Sequence, residues 1–193
     1  MADLTRRTTL AASAVMPWAT ALAAAEAGEK PMPAASRTLV AYFTRSGNTK
    51  VIASTVQREL KADLFEIRPA QPYPEDYEEI VAQAARETER RYAPPLAAMV
   101  PNITAYDTVF LGLLIWGMTA PPVIRSFLRS HDLRGKTVRP LVTHGGYGLG
   151  DSMAVIRALA PGATVAEPFS LEADQERRTL NQVRGWLGSI RPG

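Results

Sequence analysis

The run from Asp107 to Ile115, Asp-Thr-Val-Phe-Leu-Gly-Leu-Leu-Ile, is apolar on both faces that a strand would present. A strand wetted on one side would alternate polar with apolar, so this one belongs inside a parallel sheet with helices over each face. Other runs supply its neighbours. Thr38 to Phe43 is short, apolar and rich in strand formers, Asp63 to Ile67 reads as a second strand, Lys136 to Val142 as a fourth and Ala163 to Ala166 as a fifth.

Helices fill the intervals. Ile52, Val56 and Leu60 recur every four residues after Asn48 or Thr49, either of which can cap a helix. Glu75 to Arg91 carries acidic residues early and Arg90 and Arg91 late, the order that a helix dipole favours. Pro121 and Pro122 suit the first turn of a helix running to about Ser130. Asp151 to Leu159 reads as a short helix, and Leu180, Val183, Leu187 and Ile190 give a last one a single apolar face. Strands alternating with helices predict an α/β domain with a parallel sheet and right-handed crossovers. Such sheets bind ligands beyond the carboxyl ends of their strands, which directs attention to the loops after strands one, three and four.

The first of these, Thr44-Arg45-Ser46-Gly47-Asn48-Thr49, sets hydroxyls, a glycine and an amide directly before a helix start. Free backbone N–H groups and the positive helix end there suit a dianionic phosphate, with hydroxyls of Thr44, Ser46 and Thr49 as further donors. A plain capped turn has much the same composition. The loop after strand three runs Ile115-Trp116-Gly117-Met118-Thr119-Ala120-Pro121. Trp116 could stack on a planar ring, with Gly117 letting backbone approach it, or could be a large core residue. After strand four comes Thr143-His144-Gly145-Gly146-Tyr147-Gly148-Leu149-Gly150-Asp151-Ser152, where closely spaced glycines can follow the edge of a flat ligand and Tyr147 can cover it, or simply form a mobile surface loop. GxxxxGK[ST], GxGxxG and GxSxG are all missing, which speaks against a P-loop nucleotidase, a dinucleotide fingerprint and a nucleophile elbow.

The N-terminus reads as a targeting segment. Arg6 and Arg7 precede an uncharged stretch from Thr8 to Ala25 containing Ala21-Leu22-Ala23, so residues 1–25 are expected to be a signal peptide, 26–36 a linker and 37–193 the folded domain. Thr5-Arg6-Arg7-Thr8-Thr9-Leu10 resembles the twin-arginine export signal, with Thr9 where the usual Phe would stand. The periplasm is the expected location, without a stable membrane span after cleavage. A domain of this size can bury one core. The chain has no cysteine, so thiol nucleophiles, disulfides and cysteine-ligated metal are excluded, and with His131 and His144 as the only histidines no metal site is expected. Lys plus Arg is 22 against 19 for Asp plus Glu, scattered along the chain instead of forming a stripe, which argues against nucleic acid.

Taken together, the Thr-Arg-Ser-Gly-Asn-Thr loop, the Ile-Trp-Gly-Met-Thr-Ala-Pro loop and Thr-His-Gly-Gly-Tyr-Gly-Leu-Gly resemble the flavodoxin-like family, in its bacterial branch with [ST]-R-[ST]-G-N-T, I-W-W-G-x-x-P and T-H-G-G-x-G-x-G. The likeness runs from about Arg37 to Ile190 and includes Pro72-Tyr73-Pro74 and Gly135-Lys136-Thr137. It implies a three-layer fold with a five-stranded parallel sheet in the order 2-1-3-4-5 and helices on both faces. It implies flavin mononucleotide (FMN) as cofactor, with Thr44, Arg45, Ser46, Gly47, Asn48 and Thr49 around the phosphate. Trp116, Gly117, Met118 and Thr119 would border the isoalloxazine ring, and Gly145, Gly146, Tyr147 and Gly148 would line its other edge. The chain departs from the family in the third loop, where Leu114-Ile115-Trp116-Gly117-Met118 carries one tryptophan instead of two.

Two functions follow from the resemblance. One is electron transfer through the flavin to a redox partner protein; the other is an FMN-dependent NAD(P)H:quinone-type oxidoreductase with a small-molecule acceptor such as a quinone. Neither needs a catalytic side chain. A third class, a flavin-free interaction domain on the same fold, stays open. Electron-carrying members of the family tend to be strongly acidic, whereas this chain has a net charge of +3.

Overall fold

A computed structural model describes residues 37–172 and 176–190. The expected signal peptide, residues 1–25, and linker, residues 26–36, lie outside the described residues. The elements are β1 (Thr38–Tyr42), α1 (Asn48–Leu60), β2 (Asp63–Glu66), α2 (Tyr77–Glu89), β3 (Thr108–Leu114), α3 (Pro122–Ser130), β4 (Thr137–His144), α4 (Ser152–Leu159), β5 (Thr164–Val165), β6 (Phe169–Glu172) and α5 (Glu176–Ile190), with a 3-10 turn at Ile103–Ala105. Every strand pair is parallel and the order is β2-β1-β3-β4-β5, with β6 also beside β4.

Alternating residues of β1 part to opposite sides of the sheet, as the pleat requires. Leu39, Ala41 and Phe43 join Val109, Leu111 and Leu113 of β3 under α3 and α4, where Val123, Ile124, Phe127, Met153 and Ile156 complete one core. Val40 and Tyr42 join Phe110 and Leu141 under α1 and α5, against Ile52, Ala53, Val56, Val183 and Leu187. This is the reason β3 is apolar on both faces: each face has its own helical layer. Burying a side chain such as Leu111 or Phe127 contributes roughly 1.5–3 kcal/mol.

The fifth sheet position departs from the expected single strand at Ala163 to Ala166. It is filled by β5 and β6 in succession, paired with Thr137–Val138 and with Leu141–His144. Between those pairs Arg139 and Pro140 on β4 face Ala166, Glu167 and Pro168, one residue too many, which is a β-bulge. The bulge also accommodates Pro140. Lys136 and Val138 accept from Thr164 and Ala166 of the outer strand, while Thr137 and Thr143 bond toward β3. By the period of two, the missing N–H of Pro140 therefore faces the bulge, where the ladder is already interrupted.

Two helix starts differ in kind. Asp76 caps α2, its carboxylate accepting from the Glu78 and Glu79 N–H groups at 2.9 Å each. The cap of α1 is Gly47, not Asn48 or Thr49, and it makes no side-chain bond to the helix. The first turn of α1 lies directly on β3 because Gly112 has no side chain: a Cβ there would stand 2.7 Å from Tyr42 Cβ and 3.1 Å from Thr49 Cγ2.

Candidate functional site

The loop between β1 and α1 turns through Gly47 at φ +93, a conformation that costs other residues strain. The Gly47 N–H donates to Thr44 Oγ1 at 3.0 Å, and the first helical bond runs from the Val51 N–H to the Gly47 carbonyl at 3.1 Å. The amides of Asn48, Thr49 and Lys50 precede that bond and have no carbonyl within the helix to meet. With no side-chain cap over them, they form the anion-attracting end of the helix.

The loop residues do not all turn the same way. Ser46 is exposed, Thr49 is buried, and the Thr49 hydroxyl lies 2.9 Å from Thr143 Oγ1 at the end of β4. Thr49 thus offers its amide, with its hydroxyl committed beneath the loop. Arg45 reaches toward the start of α2, where Nη2 meets the Glu75 carbonyl at 3.4 Å and the guanidinium lies 5.4 Å from the centre of the Tyr77 ring.

Beyond β3 the chain folds into a tight hairpin. Trp116 and Thr119 exchange N–H···O=C bonds of 3.0 Å in both directions, and the two residues between them, Gly117 and Met118, have φ of +52 and +65. Positive φ at both central positions is the geometry of a type I′ turn. Both are exposed, whereas Trp116 is half-buried. Its ring meets Phe43 at 5.4 Å and Tyr73 at 4.9 Å, both edge to face. Trp116 therefore packs on the border of the core as well as standing at the sheet edge. Tyr73 is anchored in turn: its hydroxyl donates to Glu87 Oε2 at 2.9 Å, and Gln83 Nε2 donates to Glu87 Oε1 at 2.8 Å. Burial, and then the Glu87 carboxylate, push the Tyr73 hydroxyl pKa far up, so it stays protonated as the donor.

The glycine-rich loop follows β4. The Gly146 N–H donates to His144 Nδ1 at 3.2 Å, and Gly146, Gly148 and Gly150 have φ of +95, +73 and +52. Tyr147 is 79% exposed. Gly150 has a packing task, because a Cβ there would lie 1.9 Å from the Met118 carbonyl oxygen, which accepts from the Asp151 N–H at 2.9 Å. That contact joins the third loop to the fourth, as Thr49 and Thr143 join the first to β4. At Gly47, Gly117, Gly145 and Gly148 a Cβ would meet nothing within 4 Å. The loops after three neighbouring strands thus share one sheet edge with open backbone, and of the residues expected there Arg45 alone is seen to bond to α2's approach.

Sequence reasoning missed several supports. Tyr73 and Glu87 lie far from Trp116 in the chain and carry no local signal. Arg125 did leave one, as the single charge among the buried residues Val123, Ile124, Ser126, Phe127 and Leu128. Its Nη2 donates to Thr119 Oγ1 at 3.0 Å. Among the described residues there is no cluster of metal-ligating side chains, and no helix is long and apolar enough to cross a membrane.

A family model described as Flavodoxin matches residues 37–190. A candidate flavoprotein from Bacteroides eggerthii is 33% identical, with 81% of this chain and 98% of that one covered at a TM-score of 0.68. Another from Bacteroides uniformis is 27% identical, covering 76% and 97% at a TM-score of 0.67. A flavoprotein from Lactobacillus acidophilus, solved in complex with FMN, is 20% identical and shares the fold, covering 76% and 99% at a TM-score of 0.63. No curated protein matches.

Proposed function

Because the chain belongs to the flavodoxin family, we propose that it binds FMN at the carboxyl edge of the sheet and transfers electrons through it. The observation that carries this reading is the meeting of three loops at that edge, held together by the Thr49–Thr143 and Met118–Asp151 contacts. The residues fit the group. Uncapped amides of Asn48, Thr49 and Lys50 suit its phosphate dianion, with Thr44 and Ser46 hydroxyls beside them. Gly117, Met118 and Thr119 with Trp116 would border the ring on one side, and Gly145, Gly146, Tyr147 and Gly148 on the other, where Gly145 and Gly148 leave the backbone open. When bound, the flavin supplies the redox chemistry, and the protein supplies binding, orientation and local charge.

The twin-arginine-like Thr5 to Leu10 supports export to the periplasm. That route carries folded proteins, so the cofactor would be loaded before export. The partner is a redox protein or a small acceptor such as a quinone. The net charge of +3 favours the second reading, an FMN-dependent NAD(P)H:quinone-type oxidoreductase, over an acidic carrier.

The test is reconstitution. The purified chain mixed with FMN should give a flavin visible spectrum with quenched fluorescence, and Gly47→Asp, which sets a carboxylate among the first-turn amides, should abolish uptake. Anaerobic NADPH then separates the readings: bleaching at catalytic speed supports the enzyme, slow bleaching the carrier. Uptake undiminished in Gly47→Asp would put the phosphate elsewhere.

A further inference from the structure

Arg125 combines three features that a merely structural residue would not need. It sits on α3 with buried apolar neighbours, yet its side chain turns back to the β3 hairpin, where Nη2 holds Thr119 Oγ1 at 3.0 Å. Its Nε is buried and has no hydrogen-bond partner among the described residues. No carboxylate pairs with it either: the ion pairs among the described residues involve Arg37, Arg68, Arg134, Arg157 and Arg184, and the buried Glu87 carboxylate is taken by Tyr73 and Gln83. Tethering one threonine hydroxyl requires only a neutral donor. A guanidinium kept partly out of water with an orphan N–H is costly and calls for a compensating acceptor or negative charge.

The hairpin that Arg125 holds is the one whose exposed Gly117 and Met118 face the sheet edge. Resting on the flavin reading above, we propose that Arg125 stabilises the negative charge of the reduced ring and so raises its midpoint potential. Two electrons and one proton leave the ring with one negative charge; two electrons and two protons leave it neutral. A partly buried cation one hydrogen bond from the bordering hairpin favours the first outcome, because its field is less screened than that of a surface charge. The acidic groups at this edge, Asp151 and Glu172, are exposed, and so is Arg45, so solvent and salt weaken their opposing or added effect.

The experiment measures FMN affinity twice, for the oxidised form and under dithionite, in the wild-type chain, Arg125→Gln and Arg125→Lys. Arg125→Gln should weaken reduced-FMN binding about tenfold while changing oxidised binding less than about twofold, a fall of about 30 mV for a two-electron couple. Arg125→Lys should recover most of the loss. In the wild type alone, the midpoint potential should fall by about 30 mV per pH unit between about pH 6 and 8, the slope for one proton per two electrons. Equal losses in both redox states, no loss in either, or a slope near twice that value would overturn the proposal while leaving FMN binding intact. Failure of the wild type to take up oxidised FMN would instead remove the flavin reading, and this inference with it.

Discussion

Gly150 is visible in the sequence only as one glycine among several in a loop, yet its surroundings make it unlike the others. A methyl group at Gly145 or Gly148 would enter open space, whereas at Gly150 it would overlap the Met118 carbonyl at 1.9 Å. Gly150→Ala should therefore displace the hairpin, break the Asp151 to Met118 bond and destabilise the fold by roughly 2–4 kcal/mol, through clash and the strain of positive φ. Urea denaturation measures the stability, and FMN titration should show at least tenfold weaker binding. An unchanged affinity would mean that the two loops act independently. The same scale shows what local pattern can and cannot reveal. The Thr44 to Thr49 loop was recognisable from its residue types as a turn from strand to helix, but that Thr49 would turn its hydroxyl to Thr143 depends on a strand far along the chain.

At the scale of elements, α3 is held at its far end by His131. The Val100 N–H donates to Nε2 at 3.0 Å and Nδ1 faces the Phe127 carbonyl at 2.8 Å, so the ring is neutral with its proton on Nδ1. Burial lowers its pKa below the ordinary 6.5, against a smaller opposite effect of the Phe127 carbonyl. The sign follows. Well above pH 6.5 the ring is neutral folded and unfolded alike, and its stabilising bonds are fully present. As pH falls below that value the unfolded chain takes up a proton that the folded ring resists, so stability declines until pH passes the folded pKa. Stability from urea titrations should drop between about pH 7 and 5 with a slope of at most about 1.4 kcal/mol per pH unit from this group, and His131→Gln should flatten that dependence. Asp132, held down to about 2 by Arg134, titrates well below the window. A wild-type profile flat through this range would contradict the neutral buried ring. Elements themselves were legible where periodicity was strong: α1, α2, α3 and β3 lie within a few residues of their expected bounds. β6 was not, because the alternation of Phe169 to Glu172 spans only four residues directly after Pro168, too short to stand out, and pairing with β4 is what makes it a strand.

For the whole molecule, a ligand that binds only the folded state must raise its stability by mass action. FMN at about one hundred times its Kd should add about 2.7 kcal/mol, seen as a concentration-dependent rise in Tm, while riboflavin, which lacks the phosphate, should add much less. Equal stabilisation by both would remove the first-turn amides of α1 from the binding account. The sequence by itself determined the layered parallel fold, since a strand apolar on both faces has to lie between two helical layers, and alternating strand and helix patterns leave few topologies. It also determined which three loops would converge, because parallel strands send all their carboxyl ends to one edge. Tertiary structure alone decided the rest. Gly112 seats α1 on β3, Gly150 locks two loops together, Glu87 fixes Tyr73 behind Trp116, and Arg125 reaches Thr119 with an unpaired Nε. Clearances and orphaned donors are relations between distant residues in space, and no local pattern of residue types encodes them.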